Sequence, residues 1–190
     1  MICMEHVSKR FGEKRLLEDV SFELGERGIL AITGPNGSGK TTLLRLLAGL
    51  EKPDSGTVFR PRGCRVSYVF QGNRLVPTLS ALENVALVLD RRHRKEAIRW
   101  LEFVGLSEKA DELPGALSGG MQQRIALARA FAYGGDLLLL DEPFSALDAE
   151  WKLRIGDEIR RISETKPVVL VSHDPAEIKR LGCRILSLSD

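Results

Sequence analysis

The sequence lacks any cysteine pattern that could build structure. Cys3, Cys64 and Cys183 are far apart and form no CxxC pair. That excludes a zinc module or a disulfide scaffold and leaves free thiols in a reducing compartment as the expectation. Long hydrophobic runs are also missing. A membrane-spanning helix needs about 20 consecutive apolar residues, yet Leu137-Leu138-Leu139-Leu140 is stopped at once by Asp141 and Glu142. Residues 1–11 mix polar and apolar side chains with no apolar centre, so no secretory leader is expected. Neither sign of charge dominates. A net charge of +2 argues against a nucleic-acid partner held by a strong basic field. Repeats, low-complexity stretches and Gly/Ser/Pro-rich linkers are absent as well.

What is present is enough apolar material for one core: 43% of 190 residues, the size of a single domain. Strands are expected at 2–7, 20–24, 29–33, 57–60, 66–70, 136–140, 168–171 and 184–188. Helices are expected at 40–50, 121–133, 149–164 and 175–181. From about residue 73 to 117 the apolar spacing turns helical: Leu82, Val85, Ala86 and Leu89 recur at helical intervals, as do Ile98, Leu101 and Val104. The runs at 29–32, 137–140 and 168–171 do not alternate with polar residues, as expected for strands covered on both faces in a parallel sheet. The fold class is therefore α/β, with a mostly parallel sheet, an antiparallel N-terminal part and a helical insertion.

Gly34-Pro35-Asn36-Gly37-Ser38-Gly39-Lys40-Thr41 fits GxxxxGK[ST] between a strand and a helix, the context the phosphate loop requires. Glycines let the backbone approach phosphates without a Cβ clash. The N–H groups at the helix start, with its dipole, attract anionic oxygens. Lys40 adds a full charge at the β- and γ-phosphates, and Thr41 offers a hydroxyl to Mg²⁺; Thr42 continues the loop into the helix. By chance the pattern arises about once in a hundred chains of this length. Further along, the apolar run 137–140 ends in Asp141 and Glu142, at the strand edge where α/β proteins bind ligands. Asp141 suits Mg²⁺, directly or through water, and Glu142 suits polarising the attacking water.

With Leu117-Ser118-Gly119-Gly120-Met121-Gln122-Gln123-Arg124 added, nearly the whole chain resembles the ATP-binding subunits of ABC transporters, which carry an LSGG signature ahead of the acid pair. The resemblance implies a phosphate-loop NTPase core with a helical subdomain at about 73–134, all in one domain. It places Phe11 on the adenine ring, Gln71 beside Mg²⁺ and the helical subdomain, and His173 at the γ-phosphate. Ser145-Ala146-Leu147-Asp148 falls where the family has its dimer interface. Ser118, Gly119 and Gly120 would close over ATP held by a second copy, in a head-to-tail pair sandwiching two ATP molecules. The implied partners are that second copy, integral membrane subunits and, in an importer, a substrate-binding protein. The implied place is the inner face of the cell membrane. Val69-Phe70-Gln71-Gly72-Asn73-Arg74-Leu75-Val76-Pro77, followed by Leu82-Glu83-Asn84-Val85, looks like subunits importing nitrate, sulfonate, taurine or related small nutrients. A soluble ABC ATPase in a non-transport process and an exporter motor are the alternatives. Against the DNA-repair type, the segment between Lys40 and Leu117 lacks sustained heptads. No regulatory domain is expected after the last strand. The basic run Arg91-Arg92-His93-Arg94-Lys95 reads as a solvated face, and His6 and His93 receive no role.

Overall fold

The computed structural model describes residues 1–90 and 94–188. The described residues form two sheets and six α-helices. The N-terminal sheet is antiparallel, in the order β2-β1-β4, from β1 (Ile2–Phe11), β2 (Lys14–Leu24) and β4 (Ser55–Phe59). The second sheet is parallel, in the order β5-β6-β7-β3-β8. Its strands are β3 (Gly28–Thr33), β5 (Val66–Val69), β6 (Leu137–Asp141), β7 (Pro167–Val171) and β8 (Arg184–Ser187).

The three apolar runs lie side by side in the middle of the parallel sheet, and their side chains alternate between two cores. Leu30, Ile32, Leu137, Leu139, Val169 and Val171 pack with Leu43, Leu44, Leu46 and Leu47 of α1 (Lys40–Ala48). Ile29, Ala31, Leu138, Leu140, Val168 and Leu170 face the other way, onto Ile155 and Ile159 of α5 (Ala149–Ser163) and the helical subdomain. A strand covered on both sides needs no polar alternation, which is why these segments read as unbroken apolar runs. Each fully buried leucine contributes about 1.5–3 kcal/mol.

The helical subdomain consists of α2 (Ala81–Ala86), α3 (Arg94–Phe103) and α4 (Gly119–Tyr133). Helix starts here later than the apolar spacing suggests. Residues 73–80 form a loop, because Asn84 satisfies it from inside. Asn84 Nδ2 donates to the carbonyls of Val76, Leu79 and Ser80, and Asn84 Oδ1 accepts from Val76 N. Ser80 and Glu83 then close a capping box that opens α2. Helix α6 (Pro175–Leu181) follows β7. Of the basic run, Arg94 and Lys95 open α3, while Arg91, Arg92 and His93 lie outside the described residues.

Candidate nucleotide site

The carboxyl ends of β3, β6 and β7 are adjacent in the sheet, and the chain uses all three. After β3 comes the glycine-rich turn, and α1 begins at Lys40. Gly34 is left-handed (φ 145°), and a Cβ there would lie 2.6 Å from Leu188 O and 2.8 Å from Ser38 Oγ. Gly39 (φ 94°) leaves no room either: a Cβ would meet Leu16 O at 2.8 Å. No side chain caps α1, and its first turn holds no acid. Its N–H groups therefore remain open toward an anion. Lys40 is buried, and its Nζ donates to Gly34 O (2.9 Å) and Pro35 O (2.6 Å), which folds the ammonium over the turn.

At the end of β6, Asp141 is buried near the Thr41 side chain. Burial raises its pKa above the usual aspartate range; Thr41 opposes this, and Glu142 adds to it. Glu142 is left-handed (φ 52°), a conformation that costs a non-glycine residue about 1–3 kcal/mol. The turn is held there by Glu142 N donating to Val171 O at 3.1 Å and by Ser145 Oγ donating to Glu142 O at 3.1 Å. The outcome is an acid aimed across the strand ends at His173, which follows β7. His173 Nε2 lies 3.0 Å from Glu142 Oε1.

A cleft of about 540 Å³ joins these parts. Asn36, Gly37, Gly39, Lys40, Thr41, Thr42, Gln71, Glu142 and His173 line it together with Leu16 and Val171. Leu16 and Val171 carry no motif signal, so they could not be singled out from sequence. Gly34, Pro35 and Ser38 shape the turn behind the lining. Asp141 sits beneath Thr41. Phe11 is not part of the lining: it ends β1 with 48% of its surface exposed and Lys9 Nζ 5.4 Å from its ring centre.

Ser118, Gly119 and Gly120 are not in this cleft either. Ser118 caps α4, its hydroxyl accepting from Met121 N at 3.3 Å. Gly119 faces open space, whereas a Cβ on Gly120 would come within 2.7 Å of Ala146 O. The signature turn is thus packed on residues 145–148, and Asp148 caps α5 by accepting from Trp151 N.

Two features bear on a bound nucleotide and cation. The Ser38 hydroxyl is buried with no partner among the described residues, which suits an acceptor oxygen supplied by a ligand. Among the described residues there is no cluster of three or more His, Cys, Asp or Glu side chains to hold a metal by themselves. Thr41, Gln71 and Asp141 instead offer a few oxygen donors, the kind of set Mg²⁺ takes when phosphates complete its shell.

A glycine cradle at a helix start, with an acid pair and a histidine on neighbouring strand ends, defines a phosphate-loop nucleoside triphosphatase. The chain belongs to the ABC transporter family, whose pattern matches residues 17–145. It is an ATP-binding and ATP-hydrolysing cassette of that family. It is similar to the aliphatic sulfonates import ATP-binding protein SsuB of Ralstonia nicotianae, with 43% identity over 97% of this chain and 68% of that protein. SsuB 1 of Paracoccus denitrificans is 42% identical over the full chain and 79% of its own length. The probable sulfate/thiosulfate import ATP-binding protein CysA of Chlorella vulgaris is 38% identical over the full chain and 87% of its own length. Among solved structures, the cassette MJ0796, a dimer in a post-hydrolysis state with ADP and Pi, superposes with a TM-score of 0.89 at 33% identity. It covers 99% of this chain and 94% of that one. No helix among the described residues is long and apolar enough to cross a membrane.

Proposed function

We propose that this chain is the motor subunit of an importer of small sulfur oxyanions, aliphatic sulfonates first among them, and that it works as a head-to-tail pair on the inner face of the cell membrane. The observation that carries the mechanism is the Glu142–His173 contact at 3.0 Å across the cleft. Lys40 and the open N–H groups of α1 bind the β- and γ-phosphates. Mg²⁺ held by Thr41, Gln71 and Asp141 would neutralise charge on those phosphates. Glu142, with His173 Nε2 3.0 Å from its carboxylate, orients the attacking water and draws its proton; His173 also faces the γ-phosphate. Phe11, with an exposed ring, stacks on adenine.

Ser118, Gly119 and Gly120 serve the other copy's ATP. The support is physical: nothing in the chain's own fold demands glycine at position 119, so a close approach from outside is the reason for it. Asp148 and the segment before it lie along that interface. ATP contacts both copies and favours the closed pair, and hydrolysis releases it. Integral membrane subunits take up this motion, and a substrate-binding protein delivers the cargo. The sulfonate assignment is supported by what the similar Ralstonia and Paracoccus proteins are named for.

The test is the Glu142→Gln variant, tagged and expressed in its host. With Mg-ATP the purified variant should accumulate as a dimer and turn over at least about a hundredfold more slowly. From detergent-solubilised membranes it should bring down a multi-span protein, and deleting the chain should abolish growth on an alkanesulfonate as sole sulfur source. A monomer with normal turnover overturns the catalytic assignment. Ribosomal or DNA-bound proteins as sole companions overturn the transport assignment, and unaffected sulfonate growth overturns the cargo.

A further inference from the structure

Glu177 lies outside the cleft, four residues past His173 in the first turn of α6. Its side chain is only 14% exposed and both carboxylate oxygens are engaged. Ser172 Oγ donates to Oε2 at 2.7 Å, and Lys152 Nζ donates to Oε1 at 2.9 Å. The Ser172 hydroxyl also accepts from Asp174 N at 3.1 Å. Ser172 and Asp174 flank His173, so this hydroxyl closes the turn that projects the imidazole. His173 itself is 43% exposed, and its Nε2 lies 3.0 Å from Glu142 Oε1. Its aim therefore depends on the turn rather than on packing.

Capping does not explain the acid. Asp174 already caps α6, accepting from Ala176 N at 2.8 Å. Lys152 sits in the first turn of α5, just past the Asp148 cap. The first turns of α5 and α6 do not close on each other: a cavity of about 250 Å³ lies between them, lined in part by Phe144, Ala149, Lys152, Asp174 and Glu177. The Lys152–Glu177 pair is a polar link across that gap, and the bond to Glu177 raises the Lys152 pKa. A second link, Arg180 to Leu153 O and Asp157, joins the same helices further along and does not reach Ser172.

We propose that Glu177 is a positioning residue for hydrolysis. It holds the Ser172–His173–Asp174 turn so that His173 stays on Glu142, and through Lys152 it ties that turn to the Asp148 end of α5. Movement of residues 145–148, when a second copy closes on them, thereby reaches His173. This inference rests on the reading of Glu142 and His173 as hydrolytic residues.

The experiment measures Mg-ATP hydrolysis by the purified chain carrying Glu177→Ala, Glu177→Gln or Arg180→Met, each alone and combined with His173→Ala. Glu177→Ala should lower kcat about 10- to 100-fold, the usual scale for a lost supporting contact, with KM for ATP within about twofold. Glu177→Gln should recover part of the loss, because its amide oxygen still accepts from Ser172. Arg180→Met should keep kcat within about twofold of wild type. In the His173→Ala background, Glu177→Ala should cost nothing further. The His173 ring resonance, assigned by its loss in His173→Ala, should move in both Glu177 variants and stay put in Arg180→Met.

An unmoved His173 resonance overturns the proposal. So does an equal kcat loss in Arg180→Met, or a fully additive loss on top of His173→Ala. The resonance is readable without turnover, and Glu177→Gln is close in shape to the native residue should Glu177→Ala not fold. A wild-type chain that fails to hydrolyse ATP overturns the hydrolytic reading instead, and the two failures are thereby distinguished.

Discussion

The phosphate-loop helix α1 and the signature helix α4 are finished differently at their N-termini. Among the six α-helices of the described residues, α2, α3, α5 and α6 carry an acid in the first turn: Glu83, Glu96, Glu150 and Glu177. α1 and α4 carry none. An acid there would satisfy the helix dipole and repel a phosphate, so its absence keeps both ends available. The difference between them lies in closure. The start of α1 is enclosed by its own chain, with Gly34 and Gly39 pressed against backbone and Lys40 bonded to two loop carbonyls. The start of α4 is exposed, and its Ser118 hydroxyl accepts from Met121 N while its own proton remains free to donate. On the proposed reading, one end is a site complete within the chain and the other is half of a site.

Substitutions at the two ends should separate binding from turnover. Lys40→Ala should break both, with turnover down about 10²–10³-fold and fluorescent-ATP binding by the isolated chain largely lost. Unchanged steady-state kinetics would show that the cradle does not depend on its lysine. Gly119→Asp should reduce turnover on a similar scale but leave ATP binding by the monomer within about twofold. If binding falls too, α4 serves its own chain's nucleotide and the comparison collapses.

The two signature glycines sharpen the contrast further. Gly120→Ala drives a methyl into Ala146 O and should cost about 1–3 kcal/mol, read as a lower Tm. Gly119→Ala should leave Tm unchanged and act only on turnover. A smaller change in stability than at Gly120 is expected at Asp141. Its folded pKa lies above the unfolded value of about 3.9, so the folded state holds the proton more tightly. That contribution is full below the unfolded value and is lost as pH rises through the folded one. At neutral pH without nucleotide the charged carboxylate therefore opposes folding. Asp141→Asn should raise Tm by about 2–4 °C, remove this part of the pH dependence seen in acid thermal melts, and abolish Mg²⁺-dependent hydrolysis. A lower Tm in Asp141→Asn would mean that the favourable effect of Thr41 on the carboxylate outweighs burial.

The central sheet and the cradle were legible in the sequence because each is local. Runs 29–32, 137–140 and 168–171 carry their burial on their face, and the GxxxxGK[ST] spacing encodes a backbone path. The illegible parts are contacts between distant segments. The loop at 73–80 reads as helix from apolar spacing, yet Asn84 satisfies its carbonyls and holds it open. β1 and β2 run on to Phe11 and Lys14 through bulges that break the alternation on which a strand is recognised. Gly119 and Gly120 look equivalent in a motif and differ entirely in what surrounds them. Lys152 and Glu177, on different helices, give no periodic signal that they meet. Phe11 follows a family pattern, but its ring stands apart from the lining of the cleft.

The left-handed backbone at Glu142 has a further bearing on how such a chain drifts. Glycine adopts this conformation freely and asparagine tolerates it, so either would relax the turn after β6. In a library selected only for folding or heat resistance, position 142 should lose its acid early, and the survivors would be sturdy proteins unable to do work. An acid kept there in spite of its torsion records selection for turnover, legible in the backbone angle before any side-chain chemistry is considered.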